Sequence, residues 1–152
     1  MSDRDNDDPR EHDHDGRLDH VPLPSLDAAV DRTFWEAAAE GRLLVQACPD
    51  CGERQFFPRS WCHYCGSERV EWVESDGIGH VHTHTVIRRA TELPGFADEV
   101  PYVVAYVELD EGVRMCTNVV DCDPEAVEHG LPVEVTFERP TDSVGLPRFR
   151  PR

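Results

Sequence analysis

Lysine is absent from the 152 residues: all 15 basic residues are arginine, set against 31 acidic ones, for a formal net charge of −16. Charge of that sign repels phosphate backbones and acidic membrane surfaces, so a nucleic-acid or membrane-surface role is disfavoured. No window holds the 18 or more apolar residues that a bilayer-spanning helix needs. No basic start followed by an apolar run suggests a secretory signal, and the chain is expected in the cytoplasm. With 12 prolines and 39% apolar residues, the ordered part is expected to be strand and loop rather than long helix. Such an acidic, lysine-free surface resembles those of proteins from salt-loving archaea; an acidic chain from a high-GC mesophile is the alternative.

Residues 1–21 carry few apolar side chains and read as a disordered acidic tail, with His12, His14 and His20 in or beside it. A helical segment is expected over 22–41. Ser25 would cap it, Asp27 would sit in its first turn, Leu26, Val30, Phe34, Ala37 and Ala38 would share a face, and Gly41 would stop it. That face must dock on the chain's own domain or on a partner. Short strands are expected at 43–47 and 70–73, then at 78–88, 101–109, 113–120 and 132–138, with a weaker one near 144–149. A long loop covers about 89–100, and Asp110–Glu111–Gly112 forms a hairpin turn. Asp123 and Pro124 open a helix of one or two turns that Gly130 ends. A short helix between the third and fourth of five strands is the arrangement of an oligonucleotide-binding (OB) barrel.

Four of the six cysteines fall in CPDCGERQFFPRSWCHYCG, Cys48 to Gly66. Each C-x-x-C sets two thiolates on one turn, and the ten-residue spacer lets the turns face each other around one zinc ion. Cys48, Cys51, Cys62 and Cys65 are therefore the expected metal ligands; iron in the same cage and redox dithiols are the other readings. Four sulfurs leave no open position, so the site is structural. Gly52 and Gly66 would let backbone amides approach the sulfurs, and Arg54, Arg59 and Arg69 are close enough in sequence to offset their charge. His63 is expected to face solvent. Phe56, Phe57, Trp61 and Tyr64 give the ribbon an apolar skin.

His80, His82 and His84 alternate along one strand and would share a face, as a half-exposed surface or, less favourably, a second metal site. Cys116 lies in a strand-like run and is expected as an ordinary buried residue, with a nucleophile or a disulfide to Cys122 as alternatives. No nucleophile–base pair stands out.

In FWEAAAEGRLLVQACPDCG, FPRSWCHYCGS, EWVESDGIGHVHTHTVI, PYVVAYVELDEGVRM, GLPVEVTFE and the terminal LPRFRP, the chain resembles the DUF35 family over about residues 34–151. The resemblance implies a mainly β fold: an N-terminal helix (22–41), a rubredoxin-like zinc ribbon (42–72) and an OB-fold barrel (73–152). It implies a non-catalytic subunit that works beside thiolase-like enzymes. In archaea such a subunit bridges acetoacetyl-CoA thiolase and HMG-CoA synthase at the entry to mevalonate and isoprenoid synthesis, and helps form a shared acyl-CoA site. Bacterial relatives sit beside aldolases of steroid side-chain breakdown. The family's zinc cysteines carry over to Cys48, Cys51, Cys62 and Cys65. Partner docking is implied around Phe34 and Trp35, and contacts to CoA or a partner by the ribbon and the barrel loops. The family often has aromatics where His82 and His84 stand. Arg59 and Arg148 suit a CoA phosphate or a surface ion pair.

Two other functions are compatible with parts of the sequence. A ribbon and an OB barrel each suggest single-stranded nucleic-acid binding, which the charge opposes. A free-standing acyl-CoA hydrolase would need Cys116 or a histidine of the stripe to act.

Overall fold

The computed structural model describes residues 22–27, 30–89 and 95–152. The expected acidic tail, its histidines and part of the long loop lie outside them. The described residues form helix α1 (Arg32–Ala39) and eight strands: β1 (Leu43–Ala47), β2 (Arg54–Gln55), β3 (Glu71–Ser75), β4 (Ile78–Ile87), β5 (Tyr102–Leu109), β6 (Arg114–Val119), β7 (Pro132–Glu138) and β8 (Leu146–Pro151). β2, β1 and β3 make a three-stranded antiparallel sheet, and β4-β5-β6-β8-β7 close into a barrel. The fold is mainly β, one helix followed by an OB-like barrel, as the sequence implied. The barrel's helix is a single 3-10 turn, Pro124–Ala126, in which the Asp123 side chain accepts from the Glu125 N–H.

The barrel core comes from strand alternation. Val103, Ala105, Val107 and Leu109 of β5 and Met115, Thr117 and Val119 of β6 point inward, and Phe149 of β8 is fully buried among them. Phe34, Leu43 and Val45 belong to the same cluster, so helix and ribbon share the barrel's core. Burying a side chain of this size contributes about 1.5–3 kcal/mol.

The helix is shorter than expected. Ser25 accepts a hydrogen bond from the Asp27 N–H in an exposed turn, and helical structure begins only at Arg32. Leu26 is half-buried and Val30 is 42% exposed, whereas Phe34, Ala37, Ala38 and Ala39 meet the fold. Helical structure starts where the apolar face finds a surface. At the other end, the Gly41 N–H donates to Ala38 C=O and the Arg42 N–H to Ala37 C=O, which satisfies carbonyls that the helix leaves open. The alanines let α1 lie close on the β7–β8 connection. The Gly145 N–H donates to Trp35 C=O, and a Cβ on Gly145 would come within 2.3 Å of the Ala38 backbone.

Candidate metal centre

The two cysteine turns are near copies of each other. The Cys48 N–H donates to Glu53 C=O and the Gly52 N–H to Cys48 C=O; the Cys62 N–H donates to Ser67 C=O and the Gly66 N–H to Cys62 C=O. Gly52 and Gly66 have φ of +77° and +76°, with open space where a Cβ would stand. Each takes the left-handed backbone that reverses its knuckle, and the amide that follows it, of Glu53 or Ser67, is turned onto the sulfur of Cys51 or Cys65, as the sequence suggested.

The four sulfurs lie within 4.8 Å of one another. Cys48 and Cys65 are 3.6 Å apart, as are Cys51 and Cys62, so the short contacts run between knuckles. Four thiolates at a zinc–sulfur distance of about 2.3 Å stand roughly 3.8 Å apart, which the set matches, whereas a disulfide would need about 2.05 Å. The donor set therefore fits one tetrahedral zinc ion. Cys48 and Cys62 are buried while Cys51 and Cys65 reach the surface. At Cys62, loss of water opposes the thiolate, but the backbone N–H groups of Cys65 and Tyr64 favour it and bring the thiol down to about 7. At Cys51, the Glu53 N–H favours the thiolate, yet loss of water and the neighbouring sulfurs push the thiol up to about 12. A bound dication replaces such protons and fixes all four as ligands. With no open coordination position, a zinc ion here holds the chain and activates no substrate.

Of the three nearby arginines, Arg69 pairs with Asp50, inside the first knuckle, and Ser67 also donates to Asp50. Hydrogen bonding from Arg69, then from Ser67, holds the Asp50 carboxyl down at about 2. Arg59 acts through its backbone: its N–H donates to Gln46 Oε1 at 2.8 Å, and its C=O accepts from Gln46 Nε2 at 2.9 Å. The buried pair Gln46 and Gln55 was not singled out from the sequence. Its signal was a glutamine inside the apolar run Leu43–Ala47, where a polar residue must find partners.

The other anticipated residues are spread apart. Phe34 is 2% exposed and stacks between Trp35 and Phe56, so it serves the chain's own core rather than a partner. Trp35 is half-buried, and its Nε1 donates to Asp31. The histidine stripe does not share one face. Val81 pairs with Val107, but Thr83 pairs with Tyr106, so His82 is an extra residue in a β-bulge. Beyond the bulge the alternation reverses: His80 lies opposite half-exposed Glu108, while His84 lies opposite buried Ala105. Among the described residues the one metal-holding cluster of three or more groups is the cysteine set. The His82 carbonyl bonds to His129 Nδ1 at 2.7 Å. Arg148 is half-buried; burial lowers its pKa, against the opposing influence of Glu138 and Glu99, and its nearest approach to Glu138 is 3.8 Å. Cys116 is exposed, not buried, because Met115 and Thr117 take the inward positions of β6. Cys116 and Cys122 are both free thiols, and His63 is exposed as expected.

Residues 35–71 match the family model "ChsH2, rubredoxin-like zinc ribbon domain", and residues 72–138 match "ChsH2, C-terminal OB-fold domain". The chain is 37% identical over 109 residues to a "DUF35 domain-containing scaffold protein" of Methanothermobacter thermautotrophicus, across 71% of this chain and 80% of that protein. The chain belongs to the DUF35 family. It is also 40% identical over 131 residues to a "Probable enoyl-CoA hydratase alpha subunit" of Thermomonospora curvata, covering 86% of this chain but only 40% of that subunit's length. Among solved structures, the "Ltp2-ChsH2(DUF35) aldolase" superposes with a TM-score of 0.72 at 35% identity, covering 86% of this chain and 98% of that one. A DUF35 protein of unknown function from Sulfolobus solfataricus, at 17% identity and a TM-score of 0.56 over 82% of this chain and 87% of that one, shares the fold. The ribbon of this DUF35 chain is thus a zinc ribbon with one structural ion. Among the described residues no helix is long and apolar enough to cross a membrane.

Proposed function

We propose that the chain is a non-catalytic scaffold that binds a thiolase-like acyl-CoA enzyme and helps form an acyl-CoA site shared with it. The observation that carries this reading is the 37% identity to an archaeal scaffold protein across 80% of that protein's length. The finer form has acetoacetyl-CoA thiolase as one partner and HMG-CoA synthase as the other, the scaffold bridging them in the cytoplasm. Cys48, Cys51, Cys62 and Cys65 ligate the zinc. The working parts are the N-terminal segment 22–41, whose helix is Arg32–Ala39, the ribbon 42–72 and the barrel 73–152, following the acidic tail 1–21. Arg59, His82, His84 and Arg148 are the residues proposed to meet CoA or the partner. Half-buried Arg148, whose closest carboxylate approach is a long one, keeps donor capacity for a phosphate.

Co-purification at high salt tests the reading. A thiolase should travel with the chain, and adding HMG-CoA synthase should give a ternary complex that passes acetoacetyl-CoA without release. A thiolase that neither binds the chain nor changes turnover on its addition refutes the scaffold. A binary complex that excludes the synthase refutes the finer form only. The 40% identity to a hydratase alpha subunit supports a second reading, with a hydratase as partner. Preferential binding of a hydratase over a thiolase would decide for it.

A further inference from the structure

The loop that leads from β2 into the second knuckle is held from below by two side chains. Gln46 and Gln55 are 4% and 7% exposed. Gln55 Nε2 donates to Gln46 Oε1 at 2.8 Å and to Trp61 C=O at 3.0 Å, and Gln55 Oε1 accepts from the His63 N–H at 2.7 Å. With the two bonds between Gln46 and the Arg59 backbone, alternate residues 59, 61 and 63 are each anchored to β1 or β2. A buried amide network of this kind specifies one backbone geometry.

The large side chains on that fixed backbone point largely into water. Phe57 is 60% exposed, Trp61 52% and Tyr64 60%. Phe56 alone among these aromatics turns inward, onto Phe34. The three outward rings therefore add little to folding while their backbone is already ordered. Such preorganisation lowers the entropy lost when a second surface arrives, and tryptophan and tyrosine are enriched among the anchors of protein interfaces.

The charge of the loop sets it apart as well. Phe56 to Tyr64 contains no acidic residue and one arginine, Arg59, in a chain whose net charge is −16. Among the described residues no carboxylate pairs with the Arg59 guanidinium, which is exposed above a clamped backbone.

We propose that Phe57, Trp61 and Tyr64, with Arg59 among them, form the docking surface through which this scaffold grips its partner protein, and that the partner offers an apolar recess with an acidic rim. The inference rests on the scaffold reading and names the surface that performs it. Gln46 and Gln55 are positioning residues beneath that surface.

The test measures binding of the zinc-loaded full chain to a purified thiolase by calorimetry and sedimentation. Trp61→Ala and Phe57→Ala should each weaken binding at least tenfold, and Arg59→Glu should weaken it and reduce its salt dependence. Tyr106→Ala, on the outer barrel face, should bind as the unaltered chain does. Zinc content and Tm should stay unchanged in all four, since the altered side chains are exposed. Unchanged affinity in the Trp61→Ala and Phe57→Ala double variant overturns the docking surface and leaves the scaffold reading standing. Failure of the unaltered chain to bind thiolase, hydratase or aldolase removes the scaffold reading and the surface with it. A self-associating chain made monomeric by Trp61→Ala assigns the face to a second copy and overturns the proposal. So does a loss of CoA or oligonucleotide binding on Arg59→Glu with partner binding intact.

Discussion

The ribbon and the barrel are held together by different physics. In the barrel, five strands return on one another around Val81, Val107, Leu109, Val133 and Phe149, and apolar burial provides the stability. In the ribbon, β1 joins the barrel's core through Leu43 and Val45, but β2 has two residues, the aromatics face mostly outward, and the order beyond β1 comes from four sulfurs and two glutamines. The difference teaches what each part can carry. The barrel tolerates surface change but not core loss, whereas the ribbon depends on a handful of polar contacts and is free to expose large rings.

The comparison breaks most sharply at the metal. Chelation, or Cys62→Ser, should remove one zinc per chain and about 10 kcal/mol or more of ribbon stability, the scale of structural zinc sites. Mass spectrometry should read the lost ion, and hydrogen exchange should show residues 48–69 opening while the barrel strands stay protected. Simultaneous loss of protection in both parts would mean that the two fold as one unit. The converse break is Phe149→Ala at the fully buried centre of the barrel. It should cost about 3–5 kcal/mol by denaturant unfolding, with zinc still bound. Gln55→Leu lies between these extremes. It strands the Trp61 carbonyl and the His63 N–H and should cost about 1–3 kcal/mol, read as faster exchange in residues 57–63. The smallest effect is expected at Glu108, whose carboxyl is held below its usual 4.5 by hydrogen bonding from Arg114. A lowered carboxylate stabilises above its unfolded value and loses that contribution as pH falls through its folded one. Glu108→Gln should therefore lower Tm slightly near neutrality, and the difference from the unaltered chain should vanish as pH falls below 4.5.

The legible features were local ones. The C-x-x-C pairs announce their own geometry, and the strands around Val107 and Val133 announce theirs by alternation. Features that depend on a neighbouring strand were less legible. The bulge at His82 appears only when β4 is laid against β5, and it separates His84 from His80. The Gln46–Gln55 pair requires knowing that β1 and β2 are partners, and β2 is too short to show a pattern. Helix α1 begins where tertiary contact starts rather than where capping residues first occur. The exposure of Cys116 was within reach: Arg114 and Asn118 flank it at two-residue spacing and share its face.

Closure of the barrel bears on how this molecule can meet another. A cylinder of strands whose last member bonds to its first leaves few main-chain donors and acceptors along its sides for a visiting chain to extend. Free rims remain in the small sheet, at β2 and β3, and β3 presents Glu71 and Glu74 to solvent there. Recognition by the barrel accordingly runs largely through side chains, while strand-to-strand lengthening, with the clumping it invites, is offered chiefly by two short borders, of which that of β3 is negatively charged.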